Sequence, residues 1–326
     1  WAGTAQRGLR GADRRAEMAN AHEILGRIRS IRDTMKITKA MYMVSSMKVQ
    51  KAKRKLAETL PYFTALQDQI ADVLLHFPEM THLFFDNRPE DALEVVKRRI
   101  YVVITGDKGM AGPYNLNVIK EARSQFAASQ DYKIYAVGET GRHVFLAEKL
   151  PVERDFRMSS NNPSVHRARL MAEILIEKYR NEEVDEIYVI YTRMRNSISS
   201  EVRVEQLLPF RTSRYLKGQM KEGVYNVDEM EIFPSAAEVL ETLVRNTVTG
   251  FLYGAMVESQ ASEESARMMS MKTATDNADA MLAELSRQYN QFRQAAITQE
   301  ITEVVGGAKA LQKKKLKRRQ KAAAAQ

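Results

Sequence analysis

All eight prolines of this chain, at positions 61, 78, 89, 113, 151, 163, 209 and 234, fall between Pro61 and Pro234, so both chain ends lack the residue that breaks helices. From Ser235 to Leu311 a single helix can run without interruption, and at ~1.5 Å per residue it would measure on the order of 110 Å. Ordinary helices have about three turns, so the excess must project from a body or be sheathed by other subunits. The apolar spacing agrees. Ala278, Leu282, Leu285, Tyr289, Phe292 and Ala296 step alternately by four and three, and at the other end Ile24, Ile28, Ile31 and Met35 do the same, with Met41, Val44 and Met47 continuing the stripe. That spacing is the seam of a coiled coil.

Between the two ends the period changes. RRIYVVIT (98–105), YKIYAVG (132–138), DEIYVIYTR (185–193) and EVRVEQLLP (201–209) are rich in β-branched and aromatic residues and predict strands. The stretches 115–129, 140–148 and 163–181 predict helices. Strand alternating with helix implies α/β class: a mainly parallel, doubly wound, Rossmann-like sheet inserted between the two ends of a coiled coil. The expected division is an N-terminal extension without fixed structure (1–17), a coiled-coil helix (18–76), an α/β foot (77–234), a second coiled-coil helix (235–311) and a basic tail (312–326).

The composition narrows the function. The chain has no cysteine, which removes disulfides, thiolate sites and zinc clusters and suits a reducing cytoplasm. No run of eighteen apolar residues has the length of a membrane helix. The formal net charge is +9, of which residues 312–326 carry +7 and residues 1–17 carry +2, so 18–311 are neutral as a whole. Within that body Arg27–Lys55 holds ten basic residues against Asp33 alone, making one helix a basic rod. A solvated face is the default reading of such a run.

Catalytic signals are missing. The loop TGDKGMAGPYN (105–115) stands where a doubly wound sheet would hold a phosphate, but it has neither the GxGxxG spacing nor a GK[ST] ending, and Pro113 removes a backbone donor. Its glycines read as a tight surface turn. The five histidines form no i, i+4 pair, and there is no nucleophile elbow. Gly250 and Gly254 make a GxxxG, which in such a helix signals close packing against a neighbour. No catalytic, cofactor-binding or metal-ligating residues are therefore expected.

The motifs KITKAMYMVSSMKVQKAK (36–53), ITGDKGMAGPYN (104–115) and above all ESARMMSMKTATDNADAMLAELSRQYNQFRQAAITQEITEVVGGAKAL (264–311) resemble the gamma-subunit family of F-type ATP synthases, over 18–311. The resemblance implies an antiparallel coiled coil standing as a shaft in a hexamer of alpha and beta subunits, with the α/β domain as a foot on the epsilon subunit and the membrane c-ring. It implies a non-catalytic central-stalk rotor that couples proton-driven rotation to ATP synthesis or hydrolysis. Arg293, Gln294 and Thr298 match positions that meet a loop of beta, Arg267 and Met41 match positions near its acidic lever, and Asp107, Lys108, Tyr114 and Asn115 fall to the foot contact. Met41 reads equally well as a seam residue. The bland stretch RQAAITQEITEVVGG (293–307) fits a tip that must turn inside a collar, because each charged hydrogen bond there would be a well of ~1–3 kcal/mol.

Three departures stand out. Gly112-Pro113 replaces the family's Gly-Gly pair, Met18-Ala-Asn-Ala-His-Glu-Ile looks like the family's own start, and QKKKLKRRQKAAAAQ follows the usual end. The cysteine-bearing insert of chloroplast members is absent, so a bacterial source is expected, with the protein peripheral on the cytoplasmic side of the plasma (inner) membrane, held there only through its complex. Two other classes compete: a basic coiled-coil scaffold for nucleic acid, opposed by the neutral body and the lack of paired surface aromatics, and a nucleotide-dependent enzyme, opposed by the missing phosphate loop.

Overall fold

The computed structural model describes the backbone of residues 2–77, 82–86, 97–196, 199–211 and 232–323, and side chains within this set at 22–85 and 97–315, Asp86 excepted. Its elements in chain order are α1 (Ala2–His76), β1 (Phe85–Asp86), β2 (Arg98–Ile104), α2 (Tyr114–Ala127), β3 (Asp131–Val137), α3 (Glu139–Ala147), α4 (Val165–Arg180), β4 (Glu186–Met194), β5 (Ser200–Leu208), β6 (Phe210–Arg211) and α5 (Ala236–Ala323). The chain divides into two compact units, Trp1–Ala40 with Met271–Gln326, and Met41–Ser270.

In the Met41–Ser270 unit, β2 to β5 form one sheet in the order β3-β2-β4-β5, with β2 parallel to both β3 and β4, and β5 antiparallel to β4. Alternate residues of β2 feed two different cores, as an inner strand covered on both faces requires. Tyr101 and Val103 pack with Val118, Ile119 and Phe126 of α2 and Phe145 of α3. Ile100, Val102 and Ile104 pack on the opposite face with Met171 and Leu175 of α4, Val244, Val248, Leu252 and Met256 of α5, and Ala52 of α1. The sheet is thus doubly wound, but half of one covering layer is supplied by the long helices. β1 and β6 add a two-residue parallel pair.

Within this unit α1 and α5 run antiparallel, since Lys48 meets Glu264 while Phe63 meets Gly250. Their lower ends close a third cluster through Leu66, Ile70, Val73, Leu74, Leu240 and Leu243. The compact units therefore do not divide at the ends of the helices. Segments 41–76 and 236–270 belong with the sheet because they bury its face, which a split into helices and foot overlooks.

In the other unit the seam residues Leu282, Leu285, Tyr289 and Phe292 are half-buried, Ile28 is buried, and the hydroxyls of Thr38 and Thr275 meet at 2.8 Å. Both chain ends depart from expectation. The backbone of residues 2–17, expected without fixed structure, is helical, and α5 continues through the basic tail to Ala323. In the tail the reason is local: Lys, Arg, Gln, Leu and Ala are among the best helix formers, and no breaker intervenes. The basic side chains past Lys315 lie outside the described ones.

Candidate functional site

The order β3-β2-β4 makes the chain leave β2 on one side and return on the other, and the crevice beyond the strand ends at such a switch is where open α/β sheets hold ligands. Here it is filled by α5. Ser259 Oγ accepts from Thr192 N at 3.2 Å, and Ser262 Oγ donates to Thr192 O at 3.3 Å, at the end of β4. Tyr114, the first residue of α2, lies beneath with its hydroxyl toward Ser259 and Thr192, and burial pushes that hydroxyl well above the usual phenol range.

The loop leaving β2 is shaped by its contacts. Thr105 Oγ1 donates to Val137 O at 3.1 Å and accepts from Gly141 N at 3.0 Å. Gly138 has φ of 91°, and a Cβ there would stand 2.2 Å from Thr105 O, so only glycine fits. Asn115 Oδ1 accepts from Gly106 N at 2.8 Å, closing the loop on the start of α2. Asp107 spends its carboxylate on Glu139 N at 3.0 Å, Asn161 N at 3.1 Å, Asn161 Nδ2 at 2.9 Å and the Ser159 hydroxyl.

Against this loop α5 presents a carboxylate. A Cβ on Gly106 would meet Glu263 Oε1 at 2.7 Å, so the acid group lies directly on the glycine. Arg267, one turn on, contacts Glu263, pairs with Glu264 Oε2 at 3.0 Å, and donates to Gly109 O at 3.3 Å and Lys108 O at 3.4 Å. Lys48 of α1 completes the set at 2.8 Å from Glu264 Oε1. Two carboxylates and two cations balance. Burial pushes both acids up, but Lys48, Ser45 and Arg267 together bring Glu264 below the usual carboxylate range, whereas Glu263, which also faces Glu264 and Asp107, stays above it. Arg267 is opposed by burial yet held more firmly charged by its two acids. Among the described residues no group of three His, Cys, Asp or Glu could hold a metal.

The expected site residues thus fall in two places. Asp107, Lys108, Tyr114, Asn115 and Arg267 come together around the loop, with Met41 half-buried elsewhere in the same unit, whereas Arg293, Gln294 and Thr298 lie exposed on α5 in the other unit. Two of them are differently disposed than the resemblance implies. Arg267 is 6% exposed and closed on its own chain, and Tyr114 is 4% exposed and part of the core. Glu263, Glu264, Lys48, Ser259 and Ser262 escaped sequence reasoning. A signal exists in the acid-Arg spacing of i, i+4 and i, i+3 within a stretch of Ala, Ser and Met.

An ATP synthase family model matches residues 20–311. The ATP synthase gamma chain of Ruminiclostridium cellulolyticum is 41% identical over 294 residues, which is 90% of this chain and 99% of that one. The sodium-ion-specific ATP synthase gamma chain of Acetobacterium woodii is 36% identical over 305 residues, 90% of this chain and 99% of its own length. Among solved structures, a chain of the Euglena gracilis mitochondrial ATP synthase superposes with a TM-score of 0.54 at 17% identity, covering 88% of this chain and 95% of that one, which speaks for the fold. With its match to the family model, its gamma-chain relatives and a sheet whose ligand crevice is filled by a long helix, this chain belongs to the ATP synthase gamma chain family.

Proposed function

We propose that this chain is the central-stalk rotor of an F-type ATP synthase, coupling ion-driven rotation of a membrane c-ring to ATP synthesis or hydrolysis in the alpha/beta hexamer. The observation that carries this is the 41% identity to a gamma chain over 99% of that chain's length. The rotor is non-catalytic in this reading, and its own α5 occupies the crevice where its sheet would bind a ligand. It is peripheral on the cytoplasmic side of the membrane, and no described helix is long and apolar enough to cross one. Arg293, Gln294 and Thr298, exposed on α5 and without a side-chain partner among the described residues, face a loop of beta, with Met41 set toward the lever. Lys108 and the outer edge of its loop belong to the foot.

The test is a disulfide between a cysteine at Gln294 and one in the facing beta loop. ATP hydrolysis should stop when the bond forms and return when it is reduced. Undiminished hydrolysis with the bond intact would show that this segment does not rotate past beta, and the reading would fail.

A further inference from the structure

Resting on the rotor reading, we infer that Glu263 and Arg267 are positioning residues that fix the angular setting of α5 on the α/β sheet, so that load applied to the sheet turns the helix instead of slipping past it. The apolar contact between α5 and the sheet, through Val244, Val248, Leu252 and Met256, is close-packed but non-directional. A helix held only by such contacts is free to settle in more than one rotational register. Directional bonds remove that freedom.

Besides the bonds of Ser259 and Ser262 to Thr192 in β4, those that tie α5 to the loop after β2 lie in one cluster. Arg267 reaches backbone carbonyls of the loop, at Lys108 and Gly109, and so grips a part of the fold that cannot swing as a side chain does. Glu263 rests on Gly106, where even a methyl group would come within 2.7 Å of its oxygen, and Gly112, at φ of 55°, leaves only 2.8 Å between an added Cβ and Ser270 Oγ. The loop therefore meets α5 closely at two points, Gly106 against Glu263 and Gly112 against Ser270, with the Arg267 side chain bridging to the loop carbonyls between them. It is backed in turn by Asp107, which holds Glu139 N of α3 and the segment around Ser159 and Asn161, and by Arg167 of α4, which donates to Ser159 O at 2.7 Å and Asn161 O at 2.8 Å. An unbroken series of polar contacts thus runs from α3 and α4 through the loop to α5. Glu263, Glu264 and Arg267 are buried while Lys48 reaches them from the surface, and buried charges of this kind contribute little net stability compared with apolar side chains of the same volume, so their use here points to register.

The experiment measures ATP hydrolysis and ATP-driven ion pumping in membranes carrying the assembled enzyme. In Glu263→Ala, hydrolysis should persist while the ratio of pumping to hydrolysis falls roughly tenfold, the scale of a coupling between distant sites. Added formate, a carboxylate small enough for the vacated position, should restore the ratio. Gly106→Ala should lower the ratio without removing any group, and Gly106→Ala/Glu263→Asp should recover it, because the shorter acid leaves room for the methyl. If Glu263→Ala does not assemble, the Gly106 pair decides alone. A ratio unchanged in Gly106→Ala, or lowered equally in the double variant, overturns the inference, as does hydrolysis and pumping falling in parallel. The rotor reading fails separately, through the Gln294 cross-link.

Discussion

Gly250 and Gly254 stand one turn apart on the same helix, and the structure predicts opposite outcomes for the same substitution. A Cβ on Gly250 would lie 2.1 Å from Phe63 Cδ1 and 2.2 Å from Cε1, while a Cβ on Gly254 meets nothing within 4 Å. Carbon atoms in contact sit ~3.5–4.0 Å apart, so the Phe63 ring must retreat by about 1.5 Å. Its retreat is obstructed by Tyr253, whose ring centroid is 6.3 Å away, and by Tyr62 at 5.5 Å. Overpacking of this kind costs ~1–3 kcal/mol. Alanine in place of glycine within a helix returns ~0.5–1 kcal/mol. Gly254→Ala should therefore stabilise by about 0.5–1 kcal/mol, and Gly250→Ala should range from near neutral to destabilising by ~2 kcal/mol. Urea unfolding of the purified chain reads the difference as a shift in midpoint at constant slope. A cycle with Phe63→Ala sharpens it: the ring truncation costs stability in the parent, but in the Gly250→Ala background it also relieves the clash, so the two changes should couple by ~1–3 kcal/mol. Equal stabilisation by both glycine substitutions, or an additive cycle, would refute the close approach of α1 and α5 at this point.

Other outcomes follow from single groups. Burial pushes the Glu258 carboxyl up, Arg193 Nε at 3.9 Å only partly opposes this and Glu205 adds to it, and Oε2 of Glu258 has no hydrogen-bond partner among the described residues. A raised carboxyl contributes stability below its unfolded value, near 4.3, that is lost as pH rises through the folded value; Glu258→Gln should thus melt above the parent at pH 8 and level with it near pH 4, and an advantage that does not shrink on acidification contradicts the assignment. Deleting Gln312–Gln326 should leave assembly and ATP hydrolysis within about twofold at physiological salt, where charges beyond ~8 Å are screened. A strongly activated enzyme after deletion would make the tail an inhibitor.

The elements legible in the sequence were those whose signal is local. The strands around Tyr101, Tyr135 and Val189 announce themselves as β-branched and aromatic runs, and the helices between them follow by alternation. The seam from Ala278 to Ala296 is likewise visible, since burial there repeats with the helical period. What stayed hidden depends on distant partners. Phe85 and Phe210 pair over two residues only, too short to leave a pattern. Glu263, Glu264 and Arg267 look like a solvated face because charge in a helix usually is one, and only the loop from β2, more than a hundred residues earlier, makes them interior. The same loop converts Arg267 from an expected outward contact into an inward one. Tyr114, which the resemblance placed at the foot contact, is 4% exposed, with its hydroxyl toward Ser259 within the core.

The last layer of the sheet's core is also the last part of it to be synthesised. Ile100, Val102, Val189 and Tyr191 share one face, and α5 residues from Val244 to Ala261 are needed to cover it. A ribosome adding about 5–20 residues per second takes on the order of ten seconds or more to pass from the first of these strands to that stretch of helix. Throughout that interval the part of this apolar face that α4 does not cover stands open on the nascent chain. Conditions that slow translation should therefore lower the yield of native chain by aggregation, and supplying residues 232–323 as a separate polypeptide during synthesis of residues 1–231 should recover it.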